Sequence, residues 1–239
     1  MPLPIPTSGL LTYLDFLDPT CFTNGGTAVN DLSAANNDWT FGSTSYTYNA
    51  TNGAIDVTPG NYLGCNNLSI LSGTAVPFTI SFWFMPTTPI PDLYIFYNGG
   101  YPSNWVEIDT RGNSYVRTIA NGTFLDTPPG SITLNQYTNI TVIYDGSTVE
   151  IYANNVLGYI GAATFNFIQG AGYPAFDLGQ RYTGTGVPGL ALAAIYDRAI
   201  TSGERNTIYS YGYNRFYAPP PPPYVGSVGG RRFGGRFAG

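Results

Sequence analysis

QYTNITVIYDGSTVEIYANNVLGYIG, residues 136–161, is the stretch from which the fold is read. Thr138, Ile140, Val142 and Tyr144 alternate with more polar neighbours. Val149, Ile151 and Ala153 do the same after a break, which predicts two strands of period two. Asp145-Gly146 supplies the positive φ that a tight hairpin turn needs, and Asn154-Asn155 supplies it again before Val156 to Ile160. Three antiparallel strands in a meander follow from this pattern.

The chain of 239 residues is long enough for one large core; the length suits one β-sandwich with extensions as well as two small domains, and one domain is expected. Charged residues make up only 10%, whereas Tyr (20) and Gly (30) are abundant, which suits short strands and polar turns. All nine basic residues are Arg, and there is no His. Mechanisms that use imidazole as base, shuttle or metal ligand are therefore closed. Residues 218–239 hold three of the arginines and none of the acids, so an acidic body carries a basic tail, and nucleic acid is not an expected partner of that body. No run approaches the ~18 apolar residues of a membrane span. The opening MPLPIPTSGLLTYLDFL lacks a basic lead, so a secretory signal is not expected. Cys21 and Cys65 either pair, which stabilises by roughly 4 kcal/mol in the chain-entropy model, or remain buried thiols. Sequons stand at Asn49, Asn67, Asn121 and Asn139, and without a leader their use is not expected.

In chain order, residues 1–9 form a Pro-rich arm and Leu10 to Phe16 a first strand. In PFTISFWFMPT, residues 77–87, Phe78, Ile80, Phe82 and Phe84 share one face and are expected to point at a second sheet. WVEIDTRGNSYVRTI, residues 105–119, predicts a hairpin turning near Gly112-Asn113. With Val106 and Ile108 inward, Trp105, Glu107, Asp109 and Arg111 fall together on the outer face. Thr164 to Gln180 predicts another strand pair around Phe165, Phe167 and Phe176. Thr201-Ser202-Gly203-Glu204 has capping-box spacing, so a helix from Ser202 to about Tyr211 is expected.

Several of these segments, in order from Leu10 to Asn214, resemble laminin G-like domains of the concanavalin A-like lectin/glucanase superfamily. The meander matches that family's "W-Y-H-V-A-V-T-Y-D-G-S-T-V-K-L-Y-V-N-G-V-L", with Asn155 in place of glycine, and residues 77–87 match "D-F-T-I-S-F-W-V-K-P". LALAAIYDRAI, residues 190–200, matches the closing "G-x-I-D-E-V-R-I-Y-N-R-A-L-S". The resemblance implies an all-β fold, a two-sheet antiparallel jelly-roll sandwich over 10–217 with a short helix near its C-terminal end. AVNDLSAANNDWTF, residues 28–41, resembles a family loop in which Asp31, Asn36 and Asn37 are candidate calcium ligands. The alternative is that these side chains satisfy loop backbone groups.

Retaining glucanases of the superfamily carry E-x-D-x-x-E or E-x-D-x-E on such a strand, and Glu107-Ile108-Asp109 copies its first half. Arg111 stands at one of the positions of the second glutamate. An arginine cannot donate and reaccept a proton, so a non-enzymatic chain without catalytic residues is expected. Trp105, Glu107, Asp109 and Arg111 then suit a sugar-binding face, with an aromatic platform and carboxylates accepting from hydroxyls. The bland reading is a charge cluster in which Arg111 or Arg117 neutralises the acids.

Beyond Tyr217, five prolines (219–223) precede a Gly/Arg/Phe segment too poor in apolar surface to fold alone. Pro219, Pro223, Arg231, Arg232, Phe233, Arg236 and Phe237 read as an assembly arm that docks onto neighbouring subunits. Both arms and the low-charge sandwich resemble virion proteins that display laminin G-like domains on a capsid or tail. The expected role is therefore that of a structural or decoration subunit of an oligomeric virion assembly, with possible contact to cell-surface glycans. The alternative is a free, extracellular lectin-like module, and third comes a degenerate glycoside hydrolase.

Overall fold

The computed structural model describes residues 3–43, 46–58, 61–65, 68, 73–86, 92–100, 104–111, 115–120, 122–167, 176–178 and 187–217, by backbone alone at 92–100, 104–107, 109–111, 166–167 and 187–188. The arm residues Pro219, Pro223, Arg231, Arg232, Phe233, Arg236 and Phe237 and the turn at Gly112-Asn113 lie outside the described residues. In chain order the strands begin with β1 (Leu10–Asp15), β2 (Ala28–Val29), β3 (Trp39–Phe41), β4 (Tyr46–Asn49), β5 (Ala54–Val57), β6 (Leu63–Cys65), β7 (Gly73–Thr74), β8 (Phe78–Phe84), β9 (Asp92–Gly100) and β10 (Asn104–Arg111). They continue with β11 (Tyr115–Ala120), β12 (Thr123–Asp126), β13 (Thr138–Tyr144), β14 (Thr148–Ala153), β15 (Val156–Ala162), β16 (Asn166–Phe167), β17 (Phe176–Leu178), β18 (Val187–Leu190) and β19 (Leu192–Tyr196), followed by helix α1 (Ser202–Phe216).

Two antiparallel sheets face each other. One runs β1-β19-β8-β13-β14-β15 and the other β12-β11-β10-β9-β17-β6-β3-β2, with small β16-β7 and β18-β5-β4 sheets beside them. The β13-β14-β15 meander has the chain reversals expected: Gly146 has φ 104°, and Asn154 and Asn155 have φ 50° and 64°. Asp145 accepts hydrogen bonds from the amides of Ser147 and Thr148, closing the first turn.

Phe78, Ile80, Phe82 and Phe84 of β8 enter the core between the sheets, where they join Ile140, Val142, Val149 and Ile151 from the meander and Ile108, Val116, Phe176 and Leu178 from the opposite sheet. The other face of β8 is buried too. Trp83 belongs to a second core with Tyr13, Ile143, Tyr152, Ala194 and Ile208, beneath α1. The Ser, Thr and Asn side chains on that face are hydrogen-bonded: Asn139 Nδ2 donates to Ser81 Oγ, which contacts Thr141 Oγ1 at 2.9 Å, and Thr79 Oγ1 donates to the Arg198 carbonyl, whereas Trp83 Nε1 and the Tyr137 hydroxyl are buried without a partner among the described residues.

Helix α1 starts at the expected capping box, in which the Thr201 hydroxyl accepts from the Glu204 amide and the Glu204 carboxylate accepts from the Thr201 amide. Its end at Phe216 lies five residues beyond the expected Tyr211. The extra turn is held by tertiary contact rather than propensity: Phe216 stacks on Tyr137 with centroids 3.8 Å apart and packs on Trp83 at 5.4 Å. Arg215 pairs with the buried Asp15 at 2.6 Å and also donates to the Asn52 carbonyl. Asn155 uses its amide to hold Arg205 and Asn206 of the helix, work that a glycine at that turn cannot do.

One expectation is corrected. β16 and β17, expected to pair with each other, instead join β7 and the β6/β9 gap respectively, because such short strands take their partners from elsewhere in the chain. The Pro-rich lead-in joins no sheet among the described residues and runs along the body: Ile5 is buried in the second core, and the Pro6 carbonyl accepts from the Tyr196 hydroxyl.

Gly212→Ala raises intrinsic helix propensity by about 1 kcal/mol, yet a Cβ there falls 2.1 Å from Trp83 Nε1. The substitution is expected to destabilise by ~2 kcal/mol through overpacking, and a higher melting temperature would contradict this docking. Arg215→Met leaves the Asp15 carboxylate buried without its cation, and urea unfolding is expected to register a loss of about 3–5 kcal/mol.

Candidate functional site

α1 covers the outside of the six-stranded sheet, and the candidate positions lie on the other sheet, where Phe124 is exposed while Ile119 and Asp177 are buried. Strands β10, β11 and β12 carry the candidate positions. Register sets Glu107 opposite Ile119 and Tyr97, Asp109 opposite Arg117 and Tyr94, and Arg111 opposite Tyr115 and Asp92. Ile108 is fully buried in the core, which fits the expected alternation along β10. The side chains of Trp105, Glu107, Asp109 and Arg111 lie outside the described residues, so their placement rests on register.

The adjoining hairpin adds residues that the sequence reading missed. Arg117 Nε donates to Asp126 Oδ1 at 2.7 Å and Nη2 donates to Oδ2 at 2.8 Å, a bidentate pair between directly opposed positions. The guanidinium lies 4.3 Å from the Phe124 ring centroid and 5.8 Å from that of Tyr115. The paired carboxylate holds the guanidinium plane in place, while Phe124 remains 56% exposed. The result is a fixed aromatic and hydrogen-bonding surface at the edge of the sheet. Asn121-Gly122, with Gly122 at φ 78°, is a strong hairpin signal that places β12 beside β11, and alternation in TFLD puts Phe124 and Asp126 on one face. Asp177, between core residues Phe176 and Leu178, shares a row with Tyr97 and Glu107 through β17.

A separate cleft of ≈ 470 Å³ opens where the β11-β12 and β13-β14 turns meet, lined by Ala120, Thr123, Gly146, Ser147, Ala162 and Thr164, among others. Among the described residues its lining is small and hydroxyl-bearing with no aromatic platform, so it is less suited to stacking than the Arg117–Phe124 surface.

The Asp31 loop is organised inwardly. Asp31 Oδ1 accepts from the amides of Tyr13 and Ser33, and Oδ2 accepts from the Asn37 amide and the Ser33 hydroxyl, all within 2.6–2.9 Å. Asn36 takes φ 52°, and Asn37 Nδ2 donates to the Leu11 carbonyl. Both carboxylate oxygens thus meet hydrogens, and these residues do not fit a calcium ion, which needs those lone pairs. Among the described residues no cluster of three or more His, Cys, Asp or Glu has metal-holding geometry.

Cys21 and Cys65 are buried free thiols, and burial pushes the Cys21 thiol up to about 12, leaving it unreactive. Of the sequons, Asn139 is buried with its amide donating to Ser81 and the Phe82 carbonyl, closed to a glycan in the folded chain. Asn49 is exposed, while Asn67 and Asn121 lie outside the described residues.

Asp31→Ala removes four hydrogen bonds to a buried carboxylate and is expected to cost on the order of 3 kcal/mol. Dialysis of the unmodified chain against a chelator is expected to leave its melting temperature unchanged; a fall would restore calcium to this loop.

Residues 57–204, more than half of the chain, match the family model Laminin_G_3, described as the concanavalin A-like lectin/glucanases superfamily. No curated protein matches the chain. Among solved structures, Trypanosoma rangeli sialidase is similar at 13% identity and a TM-score of 0.61, over 86% of this chain and 33% of its own. The binding domain of botulinum neurotoxin serotype D is similar at 12% identity and a TM-score of 0.61, over 86% and 52%. Domain 4 of AbnA, an extracellular arabinanase from Geobacillus stearothermophilus solved with arabinotriose, is similar at 18% identity and a TM-score of 0.59, over 82% and 95%. At these identities the likeness is one of fold. The chain spans about a third of the length of the sialidase.

Proposed function

The chain belongs to the concanavalin A-like lectin/glucanases superfamily, and from that premise we propose that it is a non-catalytic, glycan-contacting structural domain displayed on a virion, tethered to neighbouring subunits by residues 218–239. The observation that carries the glycan contact is the surface of Arg117, Phe124 and Asp126 beside the positions of Trp105, Glu107, Asp109 and Arg111. It combines an aromatic platform with fixed hydrogen-bonding groups, the chemistry that sugar recognition uses. Structural relatives solved with sugars, the arabinanase domain with arabinotriose and a botulinum neurotoxin binding domain with SialylT, support the same reading.

A non-catalytic role is supported by the row in which Asp109 stands opposite Arg117 and by an arginine at 111 where a second carboxylate would be required. The virion role draws its support from composition: an acidic body, and an arm with three arginines, phenylalanines and five prolines that suits docking on protein neighbours.

A glycan array probed with the full chain is expected to show ligands whose signal falls at least tenfold in Phe124→Ala and Arg117→Ala, with folding unchanged by circular dichroism. Binding indifferent to both substitutions would remove this face from consideration. Deleting residues 225–239 is expected to leave glycan binding intact but to stop incorporation into particles. Measurable hydrolysis that disappears in Glu107→Gln would return the chain to the enzymes.

A further inference from the structure

We infer that the row Tyr209, Tyr213 and Tyr217 along α1 receives the proline run 219–223 of a neighbouring copy of this chain. This docking rests on the proposed tethering by residues 218–239 and names the surface that takes the tether. The three tyrosines stand four residues apart, at α1 and its C-cap, which sets them on one side of the helix. Their rings follow one another at centroid distances of 5.7 and 5.2 Å. Tyr209 rests on Trp83, whereas Tyr213 is 45% exposed and Tyr217 40%. Among the described residues the Tyr213 ring meets only the rings of Tyr209 and Tyr217, so burial of the second core does not account for it.

Composition names the occupant. Exposed aromatic rows recognise proline-rich segments, because consecutive prolines are already fixed in polyproline II and lose little freedom on docking. The run begins two residues after the last tyrosine of the row. The lengths agree: Tyr209 to Tyr217 advances ~12 Å along the helix, and Pro219 to Pro223 advances ~12 Å in polyproline II. No charged residue occurs from Asn206 to Asn214 or from Tyr217 to Gly230, so two copies of an acidic molecule meet here without like-charge contact.

Backbone geometry makes this a contact between copies. Tyr217, at φ −125° and ψ −16°, lacks the left-handed conformation that turns a chain back at the end of a helix. A residue that precedes a proline is held extended, and prolines in succession are stiff. The run is thereby directed away from its own α1. Two copies related by a two-fold axis, with the C-terminal ends of their helices adjacent, each extend the run along the other's row from Tyr217 toward Tyr209. The row lies over the six-stranded sheet, away from the Arg117–Phe124 surface.

Light scattering on the full chain is expected to give twice the 25.7 kDa chain mass. Tyr213→Ala puts a good helix former at an exposed position. That variant, and a chain with all of Pro219 to Pro223 replaced by serine, are each expected to halve the mass while the helical circular dichroism signal is kept. Mixed one to one, the two variants are expected to associate again, because one supplies an intact run and the other an intact row. A single-chain mass for the unmodified protein, a dimer that persists in Tyr213→Ala, or a mixture that stays apart would each overturn the inference. A dimer that needs the prolines but is indifferent to Tyr213→Ala would overturn this surface and leave the tether in place. The tether fails separately, if deleting residues 225–239, which keeps the run, does not stop incorporation into particles.

Discussion

Burial of β8 on both faces is the constraint on which the rest of the structure depends. Its four odd-step apolar residues fill the space between the sheets, and Trp83 on the reverse side needs a second cover. Most antiparallel sheets leave one face to solvent. Here α1 returns across the six-stranded sheet, with Gly212 letting its backbone approach the indole and Tyr209 stacking on that ring at 5.5 Å. Apolar transfer of about 2 kcal/mol for each large side chain explains why a helix with only Ile208 and Gly212 buried stays docked: aromatic contacts at its rim do the work that an aliphatic stripe does elsewhere.

That cover divides the molecule's surfaces by role. The helix closes the outside of one sheet, and the Asp15–Arg215 pair and the Arg198–Glu204 pair pin its two ends to the body. On the opposite sheet Arg117 is held between Asp126 and Phe124. Asp31 and Asn139, both candidates for outward chemistry by sequence, turn inward instead, because a buried carboxylate or amide must be met by donors and acceptors from the chain itself.

The legible parts were those encoded locally. Period-two alternation placed β8, β13 and β14, turn chemistry at Asp145-Gly146 and Asn154-Asn155 reversed the chain where it does, and the Thr201/Glu204 spacing began the helix. What escaped was set by distant partners. The last turn of α1 has poor intrinsic propensity at Gly212 and Asn214 and forms because Trp83 and Tyr137 receive it. The Arg117 surface is not legible in the sequence because Arg111 and Arg117 compete there for the acids of β10, while β12 supplies Asp126 directly across from Arg117.

By itself the sequence determined the meander, the core face of β8 and the start of the closing helix, since hydrophobic period and turn residues act over a few neighbours and need no knowledge of the whole; the two-sheet sandwich came from its resemblance to laminin G-like domains. Only the tertiary structure decided which polar groups face inward, which sheet face the helix covers and which distant strands pair. Those outcomes depend on what each side chain meets across the fold, and the same Asp, Asn or Tyr becomes a buried acceptor, a helix tether or an exposed contact according to that neighbour.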